Sequence, residues 1–434
     1  MYFINYRQQS QLDLITKTYR IVSESQKQRI FPQKGSIPLQ PDKGEAMIYY
    51  IKNAQIVTEY GIIWNGAVIT DGDRIESFGP EEDIPVPEGA EVIDAEGLYI
   101  GPGFIDIHNH GGGKWKFPEN PYEAAEYFLK HGETTVCPTC YMTETKEEHL
   151  TAIRNVREAM AKGDLVSQAI GGIYMEGPYM STKYGSNAVN MAWPDPIRFE
   201  DYKELVDEAG DLVKVWAVAP EREGIDEFVK YCKKVNPDVM ISCGHSEAYP
   251  WQVRQLKKYG LGMQTHCTNA TGIQGEHLDP CCGIKGVGPN EADWIDNDLY
   301  AEMISDSIGE HVHPDMQKLI IKVKGVDKVV LITDSGVQEA DNPPDKAYIK
   351  DLIYNSLGQL AGSKIFLHQA CQNVMKHTRC GITECFIMAS RNPARVLGID
   401  RDYGTIEEGK KAELVFVNDR MEVKRVMKSG KFFE

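Results

Sequence analysis

The chain has 434 residues, of which 42% are hydrophobic, so it can bury one large core together with a smaller domain. Its formal net charge of −17 argues against a broad basic surface and therefore against nucleic acid as a partner. It contains no apolar run of the roughly 18 residues that a membrane span needs, and no basic-then-apolar start typical of secretion, so we expect a cytoplasmic protein without a membrane partner.

Residues 1–46 differ in composition from the rest of the chain. They are rich in Gln, Ser and Lys, and they close with a Pro- and Gly-containing stretch from Pro32 to Gly44. Such a composition offers little apolar surface to bury, so we expect a flexible extension, with the functional protein starting at Met47. A short docking helix over residues 12–22, LDLITKTYRIV, is the alternative.

Short strands separated by turn signals occupy both ends of the remaining chain. They include GAVITDGDRIESFG near the start and AELVFVNDRMEVKRVMKSGKFF near the end, whereas the middle alternates strands with helices. This arrangement predicts a small β-sandwich domain built from residues 47–98 together with residues 358–434, which also carry C-terminal helices. A second domain is expected over residues 99–357.

The middle of the chain contains eight apolar, strand-like runs, each followed by a polar or helical stretch. The runs are YIGPGFIDIHNH, TTVCPT, AIGGIYMEGP, LVKVWAVAPE, DVMISCGHS, GMQTHCTNA, AEMISDS and VVLITDS. Amphipathic helix candidates between them include PYEAAEYFLKHG, EEHLTAIRNVREAMAKG and PDMQKLIIKVKG. Eight strands in this rhythm predict an α/β fold of the (β/α)₈ barrel type, which takes roughly 250 residues.

The cysteines carry a separate signal. Ten of them are scattered along the chain, without the dense spacing of a small disulfide scaffold, which favours a reducing compartment. Cys137 and Cys140 form a CxxC that is compatible with redox chemistry or metal binding. We favour the simpler interpretation, in which they are two strand residues in an apolar run.

Titratable side chains stand where five of the eight runs end. A buried parallel strand should be apolar throughout, so a charged group at its carboxyl end carries a desolvation cost. In a barrel of this type those ends converge on the active-site mouth. The residues concerned are His108, His110, Glu176, His245, His266 and Asp334.

Each of these residues also has a structural interpretation. The two histidines of HNH could cap the turn before Gly111, the Glu of MEGP could cap the next turn, the later histidines could be satisfied core residues, and Asp334 could be a helix N-cap. Their joint occurrence at matching strand ends favours a metal site instead. Four imidazoles and two carboxylates suit zinc or another first-row divalent ion.

The runs PGFIDIHNHG, MEGP, GHS, THCTNA and TDS, in this order and spacing, resemble the amidohydrolase superfamily. LAGS at Leu360–Ser363, SRNPARVLGI and GTIEEGKKAELVFV resemble, more narrowly, the N-acetylglucosamine-6-phosphate deacetylases. The resemblance covers nearly everything from Met47 to Glu434. It implies hydrolysis of the acetamide of an N-acetylhexosamine 6-phosphate, above all N-acetylglucosamine 6-phosphate, to acetate and the amino sugar phosphate.

The resemblance also implies a division of labour among the strand-end residues. Glu176, His245 and His266 would hold a principal ion, His108 and His110 a second ion, and Asp334 would be the acid/base. The implied cofactor is one or two divalent ions, zinc first, with iron or another first-row metal as the alternative. Zinc lowers the pKa of a bound water to roughly 7, and the acid/base would pass that water's proton to the leaving amine.

Substrate contacts carry over less completely. Asn269 and Ala270 match positions whose backbone amides contact phosphate in the family, and His311 matches a histidine that bonds a substrate oxygen. Leu360 and Ala361, in the LAGS run, are further substrate-binding candidates. The expected partner is a small amino sugar, and we also expect a homodimer.

The chain departs from the family where the phosphate is held. Asn187, in KYGSNA, stands where the family usually has a histidine, and QGEHLDPCCGIKGVGP lacks the family's arginine. Lys183 and Lys285 are the nearest cationic substitutes, although each is typical of a solvated surface. An amidohydrolase for a different N-acyl amine, N-acyl amino acid or cyclic amide therefore stays open, with a non-enzymatic metal-binding scaffold as the remote alternative.

Overall fold

The computed structural model describes residues 47–193, 195–273, 283, 285–338 and 341–434. The extension predicted over residues 1–46, and the alternative docking helix within it, therefore lie outside the described residues. No helix in the described ranges is long and apolar enough to cross a membrane.

The strands of the described residues are numbered here in chain order. They are β1 (Ile48–Thr58), β2 (Gly61–Asp71), β3 (Arg74–Pro80), β4 (Glu91–Asp94), β5 (Tyr99–Pro102), β6 (Phe104–Asn109), β7 (Gly111–Gly112), β8 (Trp115–Lys116), β9 (Glu133–Tyr141), β10 (Ile173–Glu176), β11 (Val213–Val218), β12 (Met240–Cys243), β13 (Leu261–Gln264), β14 (Tyr300–Ile304), β15 (Val329–Ile332), β16 (Leu352–Tyr354), β17 (Leu360–Ser363), β18 (Leu414–Val417), β19 (Val423–Lys428) and β20 (Lys431–Phe433).

The α-helices of the described residues lie between and after the barrel strands. They are α1 (Pro121–Leu129), α2 (Lys146–Met160), α3 (Phe199–Ala209), α4 (Ile225–Val235), α5 (Pro250–Lys257), α6 (Pro289–Ile295), α7 (Pro314–Lys324), α8 (Leu367–Thr378), α9 (Ile382–Phe386) and α10 (Asn392–Val396). The three helices predicted from amphipathic patterns correspond to α1, α2 and α7, which confirms those predictions.

Helix α2 illustrates how local sequence sets an element. Thr145 precedes it, and its hydroxyl accepts a hydrogen bond from the Glu148 N–H, while the Glu148 carboxylate accepts one from the Thr145 N–H at 2.7 Å. This reciprocal capping satisfies two backbone donors that the first turn would leave unpaired. The helix then buries Ile153 and Val156 at a spacing of three residues, so that one face packs against the barrel core.

Eight strands from both chain ends form one mixed sheet. Its order is β20-β19-β18-β5-β1-β2-β3, and β4 pairs with β1 in parallel. Ile51, Ile56, Val68 and Phe416 belong to a fully buried cluster on this sheet. The prediction of a small β domain built from both ends of the chain is confirmed, while its boundaries at residues 98 and 358 stay a prediction.

The other eight-stranded sheet is parallel and forms the barrel. Its order is β6-β9-β10-β11-β12-β13-β14-β15, and each of the eight runs identified in the sequence overlaps one of these strands. The first and last strands meet where the Asp334 N–H donates to the His108 carbonyl oxygen at 3.0 Å. Nearby, the Thr333 hydroxyl donates to the buried Asp106 carboxylate at 2.5 Å. The predicted (β/α)₈ class is therefore confirmed.

Candidate metal centre and active site

The carboxyl ends of the barrel strands bring together the six titratable residues singled out in the sequence. His108 lies in β6, Glu176 ends β10, and the other four follow their strands by one or two residues. Three of the residues that follow strands have backbones in the left-handed region, with φ of 44° at His245, 24° at His266 and 46° at Asp334. Non-glycine residues adopt this region at a cost of order 1–3 kcal/mol, and such residues cluster at active sites and ligand clamps.

Glu176 forms the first donor group with two histidines. Its Oε1 lies 2.7 Å from the Nε2 of His245 and 2.9 Å from the Nε2 of His266. The two Nε2 atoms are themselves 3.1 Å apart. Three atoms that carry lone pairs therefore converge on one point inside a buried cleft.

The second donor group uses the other oxygen of the same carboxylate. The Oε2 of Glu176 lies 3.1 Å from the Nε2 of His110 and 3.6 Å from the Nε2 of His108. Glu176 thus contributes one oxygen to each group and joins them. His108 is fully buried behind His110, whose side chain is partly exposed to the cavity.

The donor atoms fit a divalent ion. The Nδ1 atoms of His245 and His266 lie 2.9 and 3.1 Å from the carbonyl oxygens of Tyr184 and Asn269, so each Nδ1–H can donate and leave an Nε2 lone pair facing inward. Zinc bonds of about 2.0–2.1 Å imply donor separations of about 3.3 Å in a tetrahedral site. The observed separations are close to that value, and a nitrogen and carboxylate set suits zinc or iron.

Charge in the cleft is balanced between the imidazoles and the carboxylates. Burial would raise the pKa of Glu176, but His245 and His108 hold it well below its ordinary value. Burial likewise opposes ionisation of Asp334, yet its hydrogen bond to His110 lowers its pKa. The same contacts raise the pKa of His110 to about 9, against the effect of burial. Both carboxylates therefore favour the anionic form, which a divalent cation would stabilise further.

Asp334 lies beside the second donor group and faces the cavity. Its Oδ1 is 3.3 Å from the Nε2 of His110 and 3.9 Å from the Nε2 of His108. Its backbone is held on both sides, because its N–H donates to His108 and its carbonyl oxygen accepts the Ser363 N–H at 2.8 Å. A carboxylate fixed at the edge of a donor cluster is well placed to exchange a proton with a ligand in the cavity.

A cavity of about 470 Å³ opens above these groups. All six substrate-binding residues predicted from the sequence line it, as do Asp334 and four of the five donor residues. The substrate-binding set is Asn187, Asn269, Ala270, His311, Leu360 and Ala361. The structure brings these positions together, and their roles stay predictions.

Two of the lining residues have geometry that bears on recognition. The Asn269 N–H already donates to the His266 carbonyl oxygen at 2.8 Å, and its side-chain amide donates to the His311 carbonyl oxygen at 3.5 Å, which leaves the neighbouring Ala270 amide for a ligand. The Nδ1 of His311 lies 3.1 Å from the Oδ2 of Asp306, and its Nε2 is buried with no hydrogen-bond partner among the described residues. His311 can therefore offer its Nε2 to an oxygen in the cavity.

Cations are scarce at the cavity. No lysine or arginine is among the described residues that line it. Lys183 pairs with Glu247, and Lys285 lies 3.3 Å from Glu291, with side chains 63% and 78% exposed. The two lysines weighed as phosphate ligands are thus surface residues engaged with acidic neighbours.

Sequence reasoning missed several residues of this site. Glu302 and Asp306 are fully buried carboxylates in and after β14, and each contacts a histidine of the site. The signal that identified the other strand-end residues applies to them as well, because both interrupt or follow an apolar strand run. Tyr141 and Gln359 also line the cavity, but no local pattern distinguishes them.

The CxxC motif lies away from this chemistry. Cys137 and Cys140 are free, fully buried thiols in β9. Burial raises the pKa of the Cys137 thiol to about 12, which disfavours the thiolate needed for redox or metal chemistry. Their surroundings agree with the interpretation of two core residues.

Comparison with known proteins places this geometry in a family. Residues 99–433 match the Amidohydrolase family. The chain is 28% identical to the N-acetylglucosamine-6-phosphate deacetylase of Haemophilus influenzae, over 89% of this chain and 100% of that protein. It is also 28% identical to the N-acetylgalactosamine-6-phosphate deacetylase of Escherichia coli O157:H7, over 80% of this chain and 90% of that protein.

Solved structures agree with the sequence relatives. The crystal structure of N-acetylglucosamine-6-phosphate deacetylase from Pasteurella multocida matches with a TM-score of 0.77 and 27% identity, covering 89% of this chain and 100% of that one. The family match extends over the whole barrel and four of the eight strands of the small sheet, and the buried donor groups lie at the barrel's carboxyl edge. The chain belongs to the amidohydrolase family.

Proposed function

We propose that this amidohydrolase is a metal-dependent deacetylase that cleaves the acetamide of N-acetylglucosamine 6-phosphate, releasing acetate and the amino sugar phosphate. One observation carries the proposal: Asp334 and the donor groups joined by Glu176 open into a single cavity of about 470 Å³. That volume is in the range of small-molecule sites. The substrate follows from the relatives described above, which are named as deacetylases of two N-acetylhexosamine 6-phosphates.

The five donor residues would hold one or two ions. Glu176, His245 and His266 would hold the principal ion, with zinc as the first choice and iron as the alternative, and His108 with His110 would extend the site to a second ion. A bound ion of this kind polarises a carbonyl group and makes a coordinated water more acidic.

Asp334 would carry the proton transfers. As water attacks the acetyl carbonyl, the Asp334 carboxylate accepts the proton of that water. The carbon–nitrogen bond then breaks, and Asp334 returns the proton to the leaving amine nitrogen. Its Oδ1 lies 3.3 Å from the Nε2 of His110, so both groups face the same part of the cavity.

Neutral polar groups would orient the sugar. The Nε2 of His311 can bond a substrate oxygen, because Asp306 holds the other ring nitrogen. The Asn355 amide donates to two side-chain oxygens of the cavity lining, those of Ser186 at 2.9 Å and Gln359 at 2.8 Å. Amides and hydroxyls in such an arrangement suit sugar hydroxyl groups.

The preference for a 6-phosphate should be smaller than an arginine-containing site would give. A charged hydrogen bond is worth about 1.5–3 kcal/mol, so its loss costs between about ten- and a hundredfold in kcat/KM. Asn187 replaces a histidine of the family pattern, and of the two backbone amides that match phosphate contacts in the family, that of Asn269 already donates to the His266 carbonyl oxygen. We expect phosphate to be favoured, but modestly.

The test is to measure kcat/KM for N-acetylglucosamine, N-acetylgalactosamine and their 6-phosphates at identical ionic strength. Higher values for the phosphates support the assignment. Equal values for free and phosphorylated sugars would remove the phosphate from the substrate while leaving the deacetylase. If none of the four were hydrolysed, the protein would be assigned as an amidohydrolase for a different N-acyl amine. The described residues that line the cavity include no lysine or arginine, which is the observation that favours this second candidate.

Metal dependence has its own test. Dialysis against a chelator should abolish hydrolysis, and added Zn²⁺ or Fe²⁺ should restore it, with the metal-saturated chelator as the control. Full activity of metal-free protein would contradict the proposed mechanism.

We further propose a cytoplasmic location, supported by the free cysteines of the described residues. We also propose a homodimer, which light scattering would test.

A further inference from the structure

Glu302 is a charged residue in the middle of an apolar barrel strand. It lies in β14, within the run YAEMI, and its side chain is completely buried. A buried carboxylate is costly unless hydrogen bonds or a positive charge compensate it. Glu302 does not line the cavity and takes no part in the proposed proton transfers, so its position needs another explanation.

A single oxygen of Glu302 contacts both donor groups. Its Oε2 lies 3.2 Å from the Nδ1 of His108, and it accepts a hydrogen bond from the His266 backbone N–H at 3.1 Å. Its Oε1 has no hydrogen-bond partner among the described residues. The contact with His108 involves the imidazole ring, whereas the contact with His266 involves only the main chain.

The consequence for His108 is a fixed ring. Donation from Nδ1–H to Glu302 selects the tautomer whose Nε2 carries a lone pair. The Tyr174 ring stacks on the imidazole with centroids 4.3 Å apart and planes at 27°, which opposes rotation. The Nε2 has no hydrogen-bond partner among the described residues, and it lies 3.6 Å from the Oε2 of Glu176.

The first donor group does not depend on Glu302 in the same way. The ring of His245 is held by the Tyr184 carbonyl oxygen at 2.9 Å, and the ring of His266 by the Asn269 carbonyl oxygen at 3.1 Å. Backbone carbonyls therefore orient both rings. Only the second group relies on a side-chain carboxylate for the orientation of its buried imidazole.

We propose that Glu302 is a positioning residue for a second metal ion. By holding His108 with its Nε2 facing Glu176, it makes the second donor group competent to bind an ion, while the ion at Glu176, His245 and His266 binds without it. The inference rests on the proposed metal site but not on the identity of the sugar.

The test is a metal titration of the full chain. Metal-free wild type is titrated with Zn²⁺ against a chromophoric chelator, and the ions bound per chain are counted by elemental analysis. Wild type should bind two ions. Glu302→Met removes the acceptor at similar length and should weaken the second ion about 10–100-fold while leaving the first ion unchanged. Glu302→Gln keeps an acceptor oxygen and should rescue part of that loss.

Glu133 provides the matched control. It is also a fully buried glutamate in a barrel strand, and its carboxylate accepts a backbone N–H, from Leu367 at 2.6 Å. Glu133→Met and Glu133→Gln should therefore bind both ions like wild type. If a Met variant fails to fold, the Gln pair decides the outcome.

Three results would overturn the proposal. They are a wild type that binds a single ion, Glu302 variants that bind both ions with unchanged affinity, and equal losses in the Glu302 and Glu133 variants. A failure of the substrate assignment is a different result, because it would leave the two-step titration intact and appear only as absent hydrolysis of all four sugars.

Discussion

Gly362 lies directly against the backbone carbonyl of Asp334, and a Cβ atom added to Gly362 would stand 2.7 Å from that oxygen. The φ of Gly362 is 113°, a conformation that L-residues rarely adopt. The following residue, Ser363, donates its N–H to the same carbonyl at 2.8 Å. The LAGS strand thus supports the backbone of the proposed acid/base.

Replacing Gly362 by alanine should therefore displace Asp334. We expect Gly362→Ala to lower the free energy of unfolding by about 1–3 kcal/mol and to lower kcat. Gly358→Ala is the control, because Gly358 also has a positive φ, of 74°, but its nearest neighbour is Pro343 at 3.9 Å. Both kcat and the free energy of unfolding, from chemical denaturation, are measured for the two variants. Equal kcat values would show that this strand does not position Asp334.

Asp334→Asn tests the proton transfers directly. The amide keeps the size of the side chain but cannot accept the proton of the attacking water, so we expect kcat to fall by roughly 10² or more. Metal content and the circular dichroism spectrum should match wild type. Turnover close to wild type would show that Asp334 acts only as a ligand or a structural cap.

His311→Gln tests substrate recognition. Loss of the Nε2 contact to a substrate oxygen should lower kcat/KM by about tenfold, because Asp306 holds the other ring nitrogen and aligns that contact. His313→Gln is the matched control, because His313 is 73% exposed and its side chain caps helix α7 instead of lining the cavity. Similar kcat/KM values in both variants would argue against a substrate contact.

A buried ion pair far from the chemistry predicts a pH-dependent stability effect. Lys324 Nζ lies 3.3 Å from Asp293 Oδ1, and both side chains are 1% exposed. Burial raises the pKa of Asp293 to about 7, with Lys324 acting to lower it. Because this is above the ordinary value of about 3.9, the contribution of Asp293 to stability is fully present below pH 4 and is lost as the pH rises through about 7.

Lys324→Met should raise the pKa of Asp293 further. We expect the variant to lose about 3–5 kcal/mol at pH 8, where an unpaired carboxylate must be buried, and much less at pH 5, where Asp293 is protonated. Lys318→Met on the same helix is the control, since Lys318 is 52% exposed and pairs with Asp315 at the surface. The free energy of unfolding is measured by chemical denaturation at both pH values. A difference between Lys324→Met and wild type that did not change with pH would contradict the raised pKa of Asp293.

The sequence alone was sufficient for the fold and for the strand-end residues. Eight apolar runs predicted eight barrel strands because a parallel strand buried on both faces must be apolar along its length. Glu176, His245 and Asp334 stood out for the same reason, since each interrupts that pattern where burial makes charge expensive. Glu302 and Asp306 obey the same rule and could have been recognised from it.

Only the tertiary structure decided how those residues combine. The two oxygens of Glu176 serve different histidine groups, and the carbonyls of Tyr184 and Asn269 select the tautomers of His245 and His266. A backbone carbonyl is present at every residue, so no sequence pattern reveals which one meets a given imidazole. Those contacts join residues up to 90 positions apart, and they exist because closing the barrel brings the strand ends within hydrogen-bonding distance.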